Sequence, residues 1–480
     1  MKLYEDEKKK LLLVLKGVDK IALTTDMWTS NQQFGYMALT AHFIDKEWNM
    51  QQRIINFTEV EPPHTGLVLA NVIAKHLEEW KIKKIIISIT VDNASSNDVL
   101  VRKLKENMKK SGISLYYGGK FFHVRCCAHI LNLIVQDGLS AIKDEIISIR
   151  DAVKYIKVSP SRLHGFAAAA RELDLSTTKK LVLDVSTRWN STYFMLETAL
   201  AYKDAFARYS MEALGFVWLL GPEDWEKIAV ICDFLQVFYD VSTLFSGSSY
   251  ATANLYFLEI WRVQEILQEK VENEGGFMKA MAVKMKENFD KYWKSCNLLM
   301  IIASILDPRV KLTLSEFVFS RIYQSREERE EQMQMIKQSL QDVYESKAEN
   351  VAFQVIKSEI DTYLEDGLIK HDDNDGDEDS FNILQWWKDK ESKYRILSQM
   401  ARDLLSIPIT SVASEKAFST GGRIVNDSRS SLMPKTVEAL VCLGNWVKND
   451  GDPMHEVLTK GLTLLVFAIG VGLSTFDKAS

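Results

Sequence analysis

The sequence predicts an α/β core joined to a long, mostly helical region, and three observations carry that reading. Residues 36–44 alternate with the period of two that marks a strand, and a polar turn leads to a second strand at 48–57, as in a hairpin. The run KIIISITVDN, 84–93, is almost continuously apolar and is followed at once by helix signals, as in the centre of a covered sheet. Proline is scarce, 8 of 480 residues against an average of roughly 5%, which favours long helices because proline breaks helix interiors.

The elements follow in order. IALTTD, 21–26, is a short apolar run ending in an acid. From Tyr36 to Ile44, Met37, Leu39, Ala41 and Phe43 share one face, and Tyr36, Ala38, Thr40 and His42 the other. That spacing predicts a strand with one better-buried face. Asp45-Lys46-Glu47 makes a polar turn into a second strand, Trp48 to Phe57. Thr65 is placed to cap a helix carrying Leu67, Ala70, Ala74 and Leu77 on one stripe. After the apolar strand, a helix is expected from Ser95 through Met108, and HVRCCAHILNLIVQDGL marks a third strand-to-helix transition. From about Ala141 to Tyr363 long amphipathic stretches dominate, among them Asp233–Leu244 and Ala251–Val271, with LVLDVS at 181–186 as the remaining strand signal. HDDNDGDEDS, 371–380, holds six acids in ten residues and reads as a solvated linker whose spacing fails the calcium-loop pattern. Helical, aromatic-rich sequence returns from Ser380 to Lys448, where Val437, Leu440, Val441 and Leu443 form an apolar stripe.

Composition narrows the function classes. With 46% hydrophobic and 26% charged residues the chain reads as globular, not disordered. A net charge of −6 excludes a protein coated in positive charge but leaves room for a local basic groove. Lys8–Lys10, KIKK at 81–84 and Arg102–Lys110 are the modest basic stretches, each more often a solvated face than a phosphate contact. Five scattered cysteines point to a reduced compartment, and no Cys-x2-Cys is followed by paired histidines in zinc-finger spacing. GLTLLVFAIGVGL, 461–473, falls short of the ~18 to 20 apolar residues of a membrane span, so a packed C-terminal helix is the expectation and no membrane partner is implied.

Two aspartates stand at predicted strand ends, Asp26 after IALTT and Asp92 after IIISITV. Strand carboxyl ends are where open α/β sheets gather ligands, and two carboxylates joined by a third can hold two divalent ions for phosphoryl chemistry. Aspartate at a strand end is equally a helix cap or turn residue, so spacing alone does not decide. Cys126 and His129 have the spacing of a metal half-site, but no second half accompanies them.

The wording around these residues adds a resemblance. TTDMWTS at 24–30, TVDNASSND at 90–98, HVRCCAHILNLIV at 123–135, DVSTRWNSTYFML at 184–196 and SVASEKAFSTGGRIVNDSRSSLMPKTVEALVCLGNW at 411–446 resemble, in order, the hAT transposase superfamily and its plant Ricesleeper and Daysleeper group. The resemblance implies an α/β RNase H-like catalytic core interrupted by a large all-α insertion domain and completed by a C-terminal helical dimerisation segment. On that basis 1–20 is a lead-in, 21–140 the first part of the core and 141–363 the insertion. An acidic linker follows at 364–380, the dimerisation segment at 381–450 and an apolar tail at 451–480. The implied catalytic and metal-binding acids are Asp26, Asp92 and Glu415, with Mg2+ or Mn2+ as cofactor if the site is active. Arg188, Trp189 and His129 are the implied DNA contacts, the tryptophan by stacking on a displaced base and Arg188 by neutralising a phosphate. Core packing is the competing role for Trp189, and a surface pair with Asp184 for Arg188. Implied partners are DNA and a second copy of the chain, in the nucleus. The chain opens almost directly on the catalytic fold without the BED zinc finger common in the group. A domesticated DNA-binding, dimerising nuclear protein, in which cleavage can be lost, is therefore ranked ahead of an active DDE transposase. A scaffold without DNA ranks third.

Overall fold

The computed structural model describes residues 1–30, 32–175, 179–293, 298–348, 359–369, 381–425 and 432–449. They form two compact units, one built from 1–128, 245–258 and the chain from 297 onward, the other from 129–244 and 259–296. The expected acidic stretch at 371–380 and the apolar tail at 451–480 lie outside the described residues.

The first unit is organised by a five-stranded mixed sheet of β1 (Ile21–Thr29), β2 (Gly35–Ile44), β3 (Met50–Glu59), β4 (Ile86–Val91) and β5 (His123–Arg125), in the order β3-β2-β1-β4-β5. β1 to β3 run antiparallel as a meander, and β4 and β5 join in parallel. Trp48 sits in the turn at φ 67, and β3 starts two residues later than the alternation suggested, because Asp45 closes the turn by accepting the Asn49 N–H at 2.8 Å. All ten residues of β2 are buried, so both faces are covered, in contrast to the single better-buried face expected. The physical reason is that the polar face, with Thr40 and His42, is hydrogen-bonded beneath a C-terminal helix and loses nothing by leaving water.

Three helices accompany the sheet in the N-terminal stretch, α1 (Lys2–Lys16), α2 (Gly66–Glu79) and α3 (Ser95–Lys110), and α4 (Cys127–Leu139) carries the chain into the second unit. Thr65 caps α2 by accepting the Val68 N–H at 3.3 Å. At Gly66 a Cβ would lie 2.2 Å from the Ser96 carbonyl oxygen, so glycine permits the close approach of α2 to α3. The expected lead-in is α1, whose Tyr4, Leu11 and Leu15 are buried in the core. The Tyr4 ring stacks on Trp446 at 5.3 Å, and its hydroxyl donates to Glu438. The charged composition of 1–20 hid this one-sided burial.

The C-terminal helix Pro434–Asn449 closes the sheet edge. Trp446 Nε1 donates to the Ile54 carbonyl at 2.7 Å and Asn445 Oδ1 accepts the Ile54 N–H at 2.8 Å, which removes exposed pairing groups from β3. Its buried stripe is Val437, Ala439, Val441, Cys442 and Trp446, with Leu440 and Leu443 only partly buried. Helices from Leu298 onward, including Lys311–Ile322 and Arg326–Ala348, pack within this same unit. The helical unit thus covers less of the chain than the span 141–363 expected for the insertion.

Helices are the regular secondary structure of the second unit among its described residues. LVLDVS, 181–186, forms no strand. Its groups serve local contacts instead: Asp184 takes Arg150 and Thr192, the Val185 N–H reaches Ser191 Oγ, and Lys157 donates to the Leu181 carbonyl. Pro222–Phe245 is long and apolar enough by length and composition to cross a membrane, and half of its most apolar window is buried within the structure.

Candidate functional site

β1 and β4 are neighbours and parallel, with Thr24 opposite Thr90. Side chains alternate along a strand, so Asp26 shares the face of Thr24, while Asp92 follows directly after the end of β4, two residues beyond Thr90 and at the same end of the sheet. Both are partly buried. Asp92 Oδ1 accepts the Ala94 N–H at 2.9 Å and the Asn97 amide, which ties it to the start of α3. Asp26 Oδ1 accepts the Met27 N–H at 2.8 Å.

Glu415 arrives from the far end of the chain, in the first turn of the helix Val412–Ile424. The segment before it is fixed to β4 and to the two cysteines that follow β5. Thr90 Oγ1 donates to the Pro408 carbonyl at 2.7 Å, and the Cys127 N–H donates to the Ile409 carbonyl at 2.9 Å. The Ser411 N–H points at Cys126 Sγ at 3.3 Å, while the Cys126 N–H pairs with the Val91 carbonyl. The helix itself is pinned through Ser414, whose Oγ lies 2.8 Å from Thr24 Oγ1 and 3.4 Å from Thr40 Oγ1. Phe418 then packs on Trp28 and Phe57 with ring centroids 6.0 and 6.1 Å apart, contacts worth about 0.5 to 1.5 kcal/mol each beyond burial. Since Thr24 and Asp26 share a face, Glu415 starts its helix over the face that carries Asp26.

Beneath this helix lies a buried polar cluster. Thr24 Oγ1 also meets His42 Nε2 at 3.0 Å. Burial pushes the His42 imidazole down to about 3, so the ring is neutral in the folded chain. The unfolded ring takes a proton near 6.5, so the folded state binds fewer protons between those values. Stability from this group is therefore complete above about pH 6.5 and falls as pH drops towards 3, at up to about 1.4 kcal/mol per pH unit. Urea midpoints at pH 7.5, 6 and 5 are expected to decline, and His42→Gln, which keeps a polar partner for Thr24 without titrating, is expected to flatten that decline. Equal slopes in the two proteins would contradict the assignment.

Three carboxylates are hard oxygen donors of the kind magnesium and manganese take, so the chemistry of the donor set suits a divalent cation. Among the described residues no three His, Cys, Asp or Glu side chains are drawn close enough to hold an ion as they stand.

The other expected contacts lie in the helical unit. Asn132, one turn along α4 from His129, accepts the Trp189 N–H at 3.2 Å, so the Cys-x-x-His helix and the Arg-Trp element meet there. Trp189 is 3% exposed and packs against Tyr193, which is the core role. Arg188 is exposed at the helix N-cap, and the surface pair with Asp184 is not formed. Arg150 makes it instead, bidentate at 2.7 and 2.8 Å, and holds the Asp184 carboxyl below its usual range against the opposing effect of burial. Most of the basic stretches have local partners: Lys8 lies over the Tyr4 and Trp80 rings, Lys9 pairs with Asp6, Lys83 with Glu78 and Lys103 with Glu106.

Comparison with known proteins places these features in a family. Residues 24–121 match the ZBED1 RNase-like domain and 124–234 the ZBED1 RNase-like helical domain. Residues 254–347 match the hAT-like transposase RNase-H fold, and 359–447 the hAT family C-terminal dimerisation region. Zinc finger BED domain-containing protein RICESLEEPER 2 of Oryza sativa subsp. japonica is 34% identical over 495 residues, covering 93% of this chain and 67% of the relative. The chain belongs to the hAT transposase family. A second hAT relative, Putative AC transposase of Zea mays, is 36% identical over 483 residues, covering 93% of this chain and 59% of its own length. The chain thus spans between 59% and 67% of these relatives. Among solved structures, the Drosophila P element transposase strand transfer complex aligns over 59% of the chain at 12% identity with a TM-score of 0.24, a distant likeness.

Thr24, His42 and Ser414 were not singled out from sequence, nor was Cys126 as the anchor of the segment before Glu415. Strand parity held the available signal, since Thr24 and Thr90 each precede an acid by two residues.

Proposed function

We propose that this hAT chain acts on DNA in the nucleus as a self-associating core, with Asp26, Asp92 and Glu415 holding divalent metal for strand cleavage. One observation carries the reading: β1 and β4 run parallel with Thr24 opposite Thr90, two residues before Asp26 and Asp92, and Ser414, next to Glu415, is hydrogen-bonded to Thr24. Divalent ions, when bound, supply an activated water and stabilisation of the leaving oxygen. The chain's own part is to present three carboxylates from two strand ends and one helix start. The match of 359–447 to the dimerisation region supports self-association. DNA affinity of the full chain, measured by fluorescence anisotropy against salt, is expected to fall steeply as phosphate contacts are screened. A flat response would count against DNA as the partner. Light scattering across a dilution series tests the dimer, and imaging of a tagged chain tests the nuclear location.

A second reading, a host-retained factor that binds DNA without cutting it, is favoured by the engagement of Asp92 Oδ1 in the start of α3. Cleavage assays separate the two.

A further inference from the structure

We infer that Thr24 and Ser414, backed by His42 and Thr40, are the positioning residues for the third acid of the site. The inference rests on the reading of Asp26, Asp92 and Glu415 as metal ligands. Thr24, Thr40 and Ser414 are each 0% exposed and His42 is 6% exposed, so four polar side chains occupy the middle of a sheet core. Apolar residues of the same shape would hold a helix on a sheet at no desolvation cost. What hydroxyls add is direction: a hydrogen bond weakens steeply off its axis, whereas packing tolerates sliding and rotation. Direction matters at one place here. Glu415 follows Ser414 immediately, and its carboxylate has no hydrogen bond or ion pair with the described residues, so its location depends on its backbone. That backbone is held at the first turn by Ser414, with packing contacts such as Phe418 coming a turn later.

Thr24 links the two halves of the site. Its side chain binds Ser414 beside the third acid, and its own strand carries Asp26 two residues on. A displacement of the Glu415 helix relative to β1 therefore breaks the Thr24–Ser414 bond. His42 supports Thr24 from β2, which restricts the Thr24 hydroxyl to the orientation that Ser414 meets.

The test is Mn2+ binding to the full chain, read as free Mn2+ by electron paramagnetic resonance. Wild type is expected to bind, and Asp26→Asn to lose most of that binding. Thr24→Val, which keeps shape and removes the hydroxyl, and Ser414→Ala are each expected to weaken Mn2+ binding about tenfold. Thr24→Ser, which restores the hydroxyl, is expected to return it close to wild type. Val437→Ala in the C-terminal helix supplies the comparison: with a similar loss of melting temperature it should bind Mn2+ as wild type does. Wild-type affinity in both Thr24→Val and Ser414→Ala would overturn the positioning role and leave the three-acid reading intact. Equal weakening by Val437→Ala would reduce the effect to general stability and also overturn it. If wild type binds no Mn2+, or Asp26→Asn binds it unchanged, the three-acid reading falls and the positioning role falls with it. Should Thr24→Val fail to fold, Ser414→Ala decides alone.

Discussion

Asp92→Asn is expected to reduce Mn2+-dependent cleavage of duplex DNA by on the order of a hundredfold to a thousandfold or more. The substitution removes one negative charge and retains an oxygen acceptor. The Ala94 N–H that donates to Oδ1 keeps its partner, and asparagine serves helix starts about as well as aspartate. Stability is therefore expected to change by less than about 1 kcal/mol, so a loss of cleavage reports chemistry and not unfolding. The check is a gel assay of labelled duplex with Mg2+ or Mn2+ on both proteins, paired with thermal unfolding. Equal cleavage by both proteins would remove Asp92 from the site. A wild type that cuts nothing would leave the non-cutting factor as the function.

The largest loss of stability is expected at a buried ion pair that includes none of the three acids. Lys347 Nζ lies 2.7 Å from Asp403 Oδ2, with side chains 10% and 2% exposed. Burial raises the Asp403 carboxyl above its usual range, and Lys347 pulls it back down. Asp403→Ala strands an ammonium in the interior and is expected to cost about 3 to 5 kcal/mol. The double change Lys347→Met with Asp403→Leu removes both charges, keeps the volume and is expected to recover most of that loss. Urea unfolding of the full chain measures both. The outcome that contradicts the argument is a single variant within about 1 kcal/mol of wild type. Asp403 belongs to the helix Arg395–Leu405, which runs straight into residues 408–414, so the pair also steadies the approach to Glu415.

How far the sequence could be read depended on what each element is covered by. The alternation in β2 and the apolar run of β4 were plain because backbone period and side-chain polarity agree there. The burial of Thr40 and His42 was not, because polar residues on one strand face normally mean solvent, and the covering helix comes from more than 370 residues later. α1 was missed for the reverse reason: its charges dominate the text while three side chains do the packing. At 181–186 the β-branched residues suggested a strand, yet no neighbouring strand exists among the described residues of that unit to satisfy its backbone. The three acids came from motif resemblance, and the parallel register of β1 and β4 explains why the two aspartates share an end of the sheet. Asp184 shows the limit of local reading, since its partner Arg150 is 34 positions away and the nearer Arg188 is exposed at the N-cap.

The core is completed from chain segments separated by the whole helical unit, and this bears on synthesis. A ribosome that has translated β1 to β5 has released two of the three acids and a sheet whose Thr24, Thr40 and His42 still lack Ser414. Its β3 edge is also open until Asn445 and Trp446 emerge. Messages cut short by splicing or premature stops would yield products with exposed strand edges, prone to clumping and dependent on chaperones. The same order of events means that no nascent fragment brings Glu415 to the sheet before the helix Val412–Ile424 has been made.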